Sequence, residues 1–236
     1  MINYFYIIFN IVIFVSLFLL RNRICENLRL IVKSSKNTLH KKTSFLYGGI
    51  LLFPSFLISF YNENFFLNQI HYLNLYLIFS FFILALLDDI IDLNPLIKIY
   101  ISILILTIFI NFDDSLKIFY LKSIFLGELS FTNNYLVIYF FPILSIILLI
   151  NAFNFIDGIN GLASLVGLSF LTYVIFKNPQ LIYNLYLILI FVILFVFLNF
   201  KYSIFLGDSG NYLLSILIAS ILLKENYFNS GMYYAE

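Results

Sequence analysis

The polar residues best placed to do chemistry lie in one stretch, residues 151–163, which reads N-A-F-N-F-I-D-G-I-N-G-L-A. Amides and a carboxylate recur there at every third position: Asn151, Asn154, Asp157 and Asn160. In a helix this spacing places all four side chains on one broad face. Charged groups at membrane depth are costly unless they face a cavity or a partner. We therefore interpret the stretch as a binding surface rather than as a polar loop between two helices.

Two further motifs also place acidic residues beside long apolar runs. The stretch L-D-D-I-I-D-L-N-P-L-I-K contains the pair Asp88 and Asp89 and ends at Lys98, and the stretch F-L-G-D-S-G contains Asp208. Carboxylates that meet at one membrane face repel each other unless a cation neutralises them. Hard oxygen ligands without a Cys or His cluster suit Mg²⁺ or Mn²⁺, and magnesium characteristically joins carboxylates to substrate phosphates.

Glycines beside these acids allow close approach of the backbone to a ligand. Gly207 and Gly210 flank Asp208, and an apolar helical run begins just after them. The free N–H groups at the start of such a helix favour an incoming phosphate. Acids, a lysine and a phosphate-binding helix end together predict phosphoryl transfer to or from a lipid.

Composition identifies the chain as an integral membrane protein. Of its 236 residues, 63% are hydrophobic and only 11% are charged, and long apolar runs recur along the sequence. The formal net charge of +1 leaves no basic domain that could hold nucleic acid. The single cysteine, Cys25, excludes an intrachain disulfide bond.

Hydropathy predicts an all-α, polytopic fold of about eight transmembrane helices in a single domain, residues 1–236. The predicted spans are roughly Tyr4–Leu20, 48–61, Tyr72–Leu87, 95–111, Tyr135–Ile150, Leu162–Phe176, Leu181–Leu198 and Tyr212–Leu223. Asn94 and Pro95 are typical of the cap and the first position of a helix. Residues 117–131 are aromatic and interrupted by Gly127, which predicts a short external hairpin.

The distribution of cations predicts the orientation of these helices. One loop holds most of the lysines and arginines of the chain: Arg21, Arg23, Arg29, Lys33, Lys36, Lys41 and Lys42. By the positive-inside rule this loop is cytoplasmic, so the first helix is retained and the N-terminus lies outside. Counting helices then puts the acids of all three motifs on the cytoplasmic side with Lys98, and Asp113 and Asp114 on the opposite side.

The three motifs, in this order, resemble those of the polyprenyl-phosphate N-acetylhexosamine-1-phosphate transferases (glycosyltransferase family 4), relatives of phospho-N-acetylmuramoyl-pentapeptide transferase. That family has a paired-aspartate motif with a following basic residue, an N-x-x-N-x-x-D-G signature and an F-M/L-G-D-x-G motif. A weaker match is L-H-K-K-T-S-F-L-Y-G-G, residues 39–49, which keeps the His and the glycine pair of a basic loop. It lacks the prolines and the arginine of that loop.

The resemblance implies that a polyprenyl phosphate such as undecaprenyl phosphate attacks the β-phosphate of a UDP-N-acetylhexosamine at the cytoplasmic face of the inner membrane. The products are polyprenyl-diphospho-sugar and UMP, and Mg²⁺ or Mn²⁺ is required. It implies as catalytic residues Asp88, Asp89, Asp157 and Asp208, with Asp208 and Asp88 as metal ligands. It implies as substrate contacts Lys98, Asn151, Asn154, Asn160, Phe205 (stacking on uracil), Gly207 and His40. Whether the chain forms a homodimer is left open.

Relative to the family, the chain ends early, at Glu236. The family continues with two or more helices and a His-containing cytoplasmic loop, so we expect a C-terminally truncated transferase domain. Two alternatives stay open. One is an inactive or partial relative that binds lipid phosphate or nucleotide-sugar. The other is a secondary transporter, because acids in membrane helices also mark ion paths.

Overall fold

The computed structural model describes residues 4–32, 44–61, 70–123, 127–131, 134–159, 161–202 and 204–229. In these ranges the chain forms eight α-helices, which confirms the predicted all-α fold. They are α1 (Tyr4–Leu28), α2 (Gly48–Tyr61), α3 (Ile70–Ile91), α4 (Pro95–Phe112), α5 (Tyr135–Ile156), α6 (Leu162–Lys177), α7 (Ile182–Tyr202) and α8 (Gly207–Asn229).

Five helical segments of the described chain are long and apolar enough to cross a membrane. They are Tyr4–Leu28, Leu73–Ile91, Pro95–Phe112, Tyr135–Ile156 and Leu185–Tyr202. Helices α2 and α6 are apolar but shorter. Large apolar side chains are exposed on α1, α4 and α5, where lipid tails offer a surface as apolar as leucine. The chain is therefore a multi-pass membrane protein.

Helix α8 lies at the centre of the fold. It packs most extensively against α3 and also against α2 and α5, and residues 204–221 are almost all buried. It is nevertheless the least apolar of the eight helices, since it carries Asp208, Asn211 and Lys224. Buried polar groups need partners, and neighbouring segments of the chain supply charged partners at both ends of α8.

Several helices extend beyond their predicted ends because polar residues continue them. Helix α3 continues through Asp88 and Asp89, and α5 continues through Asn151 and Asn154. Helix α8 begins at Gly207, more than one turn before its predicted start. Helix α1 is about two turns longer than predicted. Asp88, Asp89, Asn151, Asn154 and Asp208 thus lie on helix ends, whereas Asp157 directly follows the end of α5.

Two small sheets complete the fold. The sequence does not predict the first, in which β2 (Ser44–Leu46) pairs antiparallel with β1 (Ile31–Val32) and parallel with β5 (Ile204–Phe205). The second is the predicted hairpin between α4 and α5, formed by β3 (Tyr120–Ser123) and β4 (Gly127–Ser130). The first sheet joins the segment before α2 to the segment before α8.

The predicted start of α4 is confirmed in detail. The side chain of Asn94 caps the helix by accepting the N–H of Leu96 at 2.9 Å, and Pro95 occupies the first turn. Proline is tolerated there because its missing N–H would have no partner in the first turn. This start places Lys98 one turn into α4, close to the end of α3.

Candidate active site

The start of α8 is a tight backbone junction. Gly207 has a φ of 68°, a conformation that favours glycine. A Cβ atom added to it would lie 3.0 Å from Oδ2 of Asp89. The strand directly before it is fixed by the pairing of Phe205 with Leu46. The position of α8 is therefore set by its own first residue and by β5.

Asp89 caps the start of α8 from the end of α3. Its Oδ1 accepts the N–H of Asp208 and its Oδ2 accepts the N–H of Ser209, each at 2.9 Å. The first N–H groups of a helix have no partner within it, and a carboxylate there also complements the helix dipole. Both oxygens of Asp89 are thus engaged by the backbone of α8.

Asp157, at the end of α5, holds the same helix from another side. Its Oδ2 accepts the N–H of Gly207 at 3.1 Å and a hydrogen bond from Nδ2 of Asn211 at 3.2 Å. Burial raises the pKa of the Asp157 carboxyl from 3.8 to about 6, and these hydrogen bonds oppose the rise. Helix α8 therefore starts between two carboxylates from two different helices.

Asp88 and Asp208 face each other across Lys98. The lysine Nζ donates to Oδ2 of Asp208 at 2.6 Å and to Oδ2 of Asp88. The carboxylate of Asp88 is fixed because its Oδ1 accepts the N–H of Leu93 at 2.9 Å. Side-chain exposure is 7% for Asp88, 19% for Lys98 and 27% for Asp208. This trio is therefore the part of the acidic cluster that a ligand can reach.

A cleft of about 120 Å³ opens beside Lys98, where α4, α5 and α8 meet. Its lining combines polar side chains, from Lys98, Asn151 and Tyr212, with apolar ones, from Ile99, Ile147 and Ile150. A site that combines apolar walls with a few polar groups orients a ligand that has an apolar part and a polar part. The cleft suits a molecule with a charged head and an apolar tail.

Comparison with known families decides the class of protein. Residues 71–226 match the family described as Glycosyl transferase family 4. The chain belongs to glycosyl transferase family 4. The match runs from α3 into α8, so it includes every helix that contributes to the acidic cluster. Membership indicates a transferase that passes a sugar phosphate to a lipid carrier. A comparison with curated proteins gave no match.

In this family 4 transferase the acids of the three sequence motifs meet at one place, as predicted. The residues brought together at the start of α8 are Asp88, Asp89, Asp157, Asp208, Gly207 and Lys98. Asp113, which we expected to lie apart from them, contacts Lys224 near the other end of α8. The grouping of the acids therefore follows the prediction from helix counting.

One asparagine of α5, Asn151, reaches the edge of this cluster. Asn151 lines the cleft, and its Nδ2 donates to the carbonyl oxygen of Ile147 at 3.0 Å. Oδ1 of Asn154 is buried and has no hydrogen-bond partner among the described residues. A buried acceptor without a donor is costly, so this oxygen suits a donor from a ligand. His40 and Asn160 lie outside the described residues, and their roles stay predictions.

Phe205, for which the resemblance implies stacking on uracil, lies in a strand next to the acidic cluster. It lies in β5 and is only 6% exposed, so little of its ring is open for stacking on uracil. A strand residue paired with Leu46 is part of the packing that positions α8. Phe205 contributes to this packing, and its stacking on uracil stays a prediction.

Two buried asparagines that the sequence analysis missed support the site. Nδ2 of Asn199 donates to the carbonyl oxygen of Ile204 at 2.6 Å and so holds β5. Asn211 holds Asp157, as described above. Both are less than 3% exposed. The signal that could have found them is an amide inside an apolar run, because such a group is costly without a partner.

Asp88 and Asp208 offer the donor set that suits a divalent cation. Their Oδ2 atoms converge on one point, the Nζ of Lys98. Within the described ranges, no group of three His, Cys, Asp or Glu side chains is arranged to hold a metal ion. Mg²⁺ commonly takes one or two protein carboxylates and completes its shell with water and substrate phosphates. The two aspartates therefore fit a magnesium site that substrate completes.

Proposed function

We propose that the chain transfers N-acetylhexosamine-1-phosphate from a UDP-sugar to a polyprenyl phosphate, giving polyprenyl-diphospho-sugar and UMP. The observation that carries this proposal is the meeting of Asp88, Asp208 and Lys98 beside a cleft of mixed lining. Family membership supports the class of reaction. The cluster supplies fixed charges of the kind that stabilise phosphoryl transfer.

The cleft between α4 and α5 is the proposed place of the lipid phosphate. Its isoleucines suit the prenyl chain, and Lys98 neutralises the headgroup. The carboxylate of Asp88, which lies next to Lys98, accepts or orients the proton of that phosphate. Asp89 acts as a positioning residue, because both of its oxygens hold α8. The paired aspartates thus divide two tasks between them.

The bond change follows from these places. An oxygen of the lipid phosphate bonds to the β-phosphorus of the UDP-sugar, and the bond from that phosphorus to UMP breaks. Asp88 and Asp208 would hold Mg²⁺, which neutralises the phosphate charge when it is bound. Oδ1 of Asn154, which lacks a partner among the described residues, accepts an N–H or O–H of the nucleotide-sugar in this proposal. Asp157 keeps the start of α8 in place.

The position of the acids along their helices supports a transferase over a transporter. Asp88 and Asp89 lie in the last turn of α3, Asp157 follows the end of α5, and Asp208 lies in the first turn of α8. Secondary transporters place such groups near the middle of the bilayer. Helix ends meet the membrane surface instead, and by the positive-inside rule the basic residues between positions 21 and 42 support the cytoplasm as the side of this surface.

Transfer of label from UDP-N-acetylglucosamine into lipid tests the proposal, with purified protein, undecaprenyl phosphate and Mg²⁺. We expect labelled lipid that depends on both magnesium and Asp208, so that Asp208→Asn abolishes it. Asp114→Asn is the matched control, because the side chain of Asp114 is 62% exposed and contacts Lys117 rather than the cluster. Absence of product from a chain that still binds UDP-sugar or lipid would identify an inactive relative.

A further inference from the structure

The two oxygens proposed to hold the metal already hold a cation of the chain itself. Nζ of Lys98 lies 2.6 Å from Oδ2 of Asp208 and is hydrogen-bonded to Oδ2 of Asp88. A metal ion coordinated by the same two atoms needs the space that Nζ occupies. Lys98 and a divalent cation therefore exclude each other between these carboxylates.

Lys98 has a second place open to it. Its side chain lines the cleft together with Asn151 and Tyr212, and it is 19% exposed. A lysine carries its charge on a flexible stem with three rotatable donors. Rotation about that stem moves the ammonium from the carboxylates into the cleft, which on the proposed function receives the lipid phosphate.

Charge balance favours such an exchange. With Lys98 between them, Asp88 and Asp208 keep a net charge of about −1, and a divalent cation in its place brings the pair to neutrality. The displaced ammonium then carries one positive charge beside the cleft, where a phosphate carries one or two negative charges. Asp89 and Asp157, the other acids of the cluster, are already satisfied by N–H groups of α8 and of Asn211. After the exchange the divalent cation and the ammonium of Lys98 each face anionic groups in a region of low dielectric.

We propose that Lys98 holds Asp88 and Asp208 until a divalent cation displaces it, and that the displaced ammonium then binds the lipid phosphate. This inference rests on the proposed function and adds to it the order in which Lys98 and the divalent cation occupy the two carboxylates. Each ligand releases the group that the other ligand needs. Metal and lipid phosphate therefore bind with positive coupling, and by linkage the effect is equal in both directions.

Binding of Mn²⁺, followed by electron paramagnetic resonance, tests the coupling without any turnover. The full chain is measured with and without undecaprenyl phosphate. We expect the lipid phosphate to strengthen Mn²⁺ binding on the order of tenfold, as is typical of coupled sites. Lys98→Met removes the competitor, so Mn²⁺ binds more tightly than to wild type in the absence of lipid, and the lipid no longer changes the affinity. Lys98→Gln, which keeps a polar side chain, should behave in the same way.

Lys117→Met is the matched control, because Lys117 also pairs with an aspartate but lies in the turn after α4. It should leave Mn²⁺ affinity and coupling as in wild type. Unchanged or weaker Mn²⁺ binding in folded Lys98 variants would overturn the proposal, as would a wild-type affinity that ignores the lipid. Coupling produced by UDP-N-acetylglucosamine and not by the lipid phosphate would overturn the assignment of Lys98 to the lipid. Mn²⁺ binding that persists in Asp208→Asn would reject the metal site of the proposed function itself.

Discussion

The two ends of α8 both carry buried charge, but they arrange it in opposite ways. At its start, Lys98 is shared by two carboxylates, and the three side chains are 7% to 27% exposed. Roughly 24 Å further along, at 1.5 Å per residue, Lys224 faces Asp113 at 3.2 Å, with side-chain exposures of 3% and 1%. The first end has a surplus of negative charge and an opening. The second is balanced and closed.

The closed end fixes the helix to its neighbours. Oδ1 of Asp113 also accepts the N–H of Ser115 at 3.0 Å, so the ion pair ties α8 to the turn after α4. Glu225, one residue further, contacts Lys177 and Asn178 at the end of α6. A buried ion pair whose charges balance recovers much of its desolvation cost. At the start of α8 two carboxylates share one lysine, so one negative charge there lacks a counter-charge. The pair of Asp113 and Lys224 is therefore structural, whereas the start of α8 has the charge surplus and the opening of a binding site.

The largest effect is expected when the closed end loses one partner. Asp113→Asn keeps the oxygen that accepts from Ser115 but leaves Lys224 buried without its counter-charge. Removing one member of a buried pair costs about 3–5 kcal/mol, so the free energy of unfolding in mixed micelles should fall by about this amount. Transfer activity per folded molecule should stay close to wild type. Adding Lys224→Met to this variant should recover part of the stability. Lost activity in a fully stable variant would show that this end of α8 contributes to the reaction and not only to stability.

At the open end, loss of one carboxylate is expected to reduce the rate rather than the stability. Asp88→Asn keeps an oxygen for the N–H of Leu93 but loses the charge that holds Lys98. The rate of lipid labelling should fall by about 100-fold or more, as for loss of a general acid or base. The midpoint of thermal unfolding should stay within a few degrees of wild type. Full activity of Asp88→Asn would show that the carboxylates at the start of α8 are not needed for the rate, as at the other end.

Asp89 is expected to behave as part of the scaffold, although it neighbours Asp88. Asp89→Asn leaves one acceptor oxygen for the two N–H groups of Asp208 and Ser209. Loss of a helix cap costs about 1 kcal/mol, and unfolding in mixed micelles measures it. Mn²⁺ affinity should be nearly unchanged, in contrast to Asp88→Asn. Equal loss of Mn²⁺ binding in both variants would make Asp89 a metal ligand.

The smallest effect is a pH dependence of stability that comes from Asp157. Its pKa is about 6 in the folded chain, against 3.8 for the free side chain, because it is buried. Between these values the folded chain holds a proton that the unfolded chain has lost. The contribution of Asp157 to stability therefore falls as pH rises from about 4 to about 6, and is constant above. The difference in unfolding midpoint between wild type and Asp157→Asn should follow this trend, and the opposite trend would mean that the pKa is lowered.

The sequence predicts the helices and the meeting of the acids, because long apolar runs and regular polar spacing are strong signals. It does not predict how Asp88 and Asp89 divide their tasks. Neighbouring residues on a helix point about 100° apart, so the rotation of α3 against α8 decides which one caps and which one meets Lys98. The sheet of β1, β2 and β5 is also missed. Strands of two or three residues have no period to detect, and the pairing of β2 with β5 joins distant parts of the chain.

The ion pair of Asp88 and Lys98 also bears on the biogenesis of the chain. The two residues are only 10 positions apart, at the junction of α3 and α4, whereas Asp208 follows Lys98 by 110 positions. A nascent hairpin of α3 and α4 can enter the bilayer with these charges already neutralised, which lowers the cost of insertion. Asp208 and the start of α8, which Asp89 caps, reach the membrane only when translation is well advanced. Arrested ribosomes that have not yet made α8 would therefore carry a membrane hairpin with its salt bridge but without the complete acidic cluster.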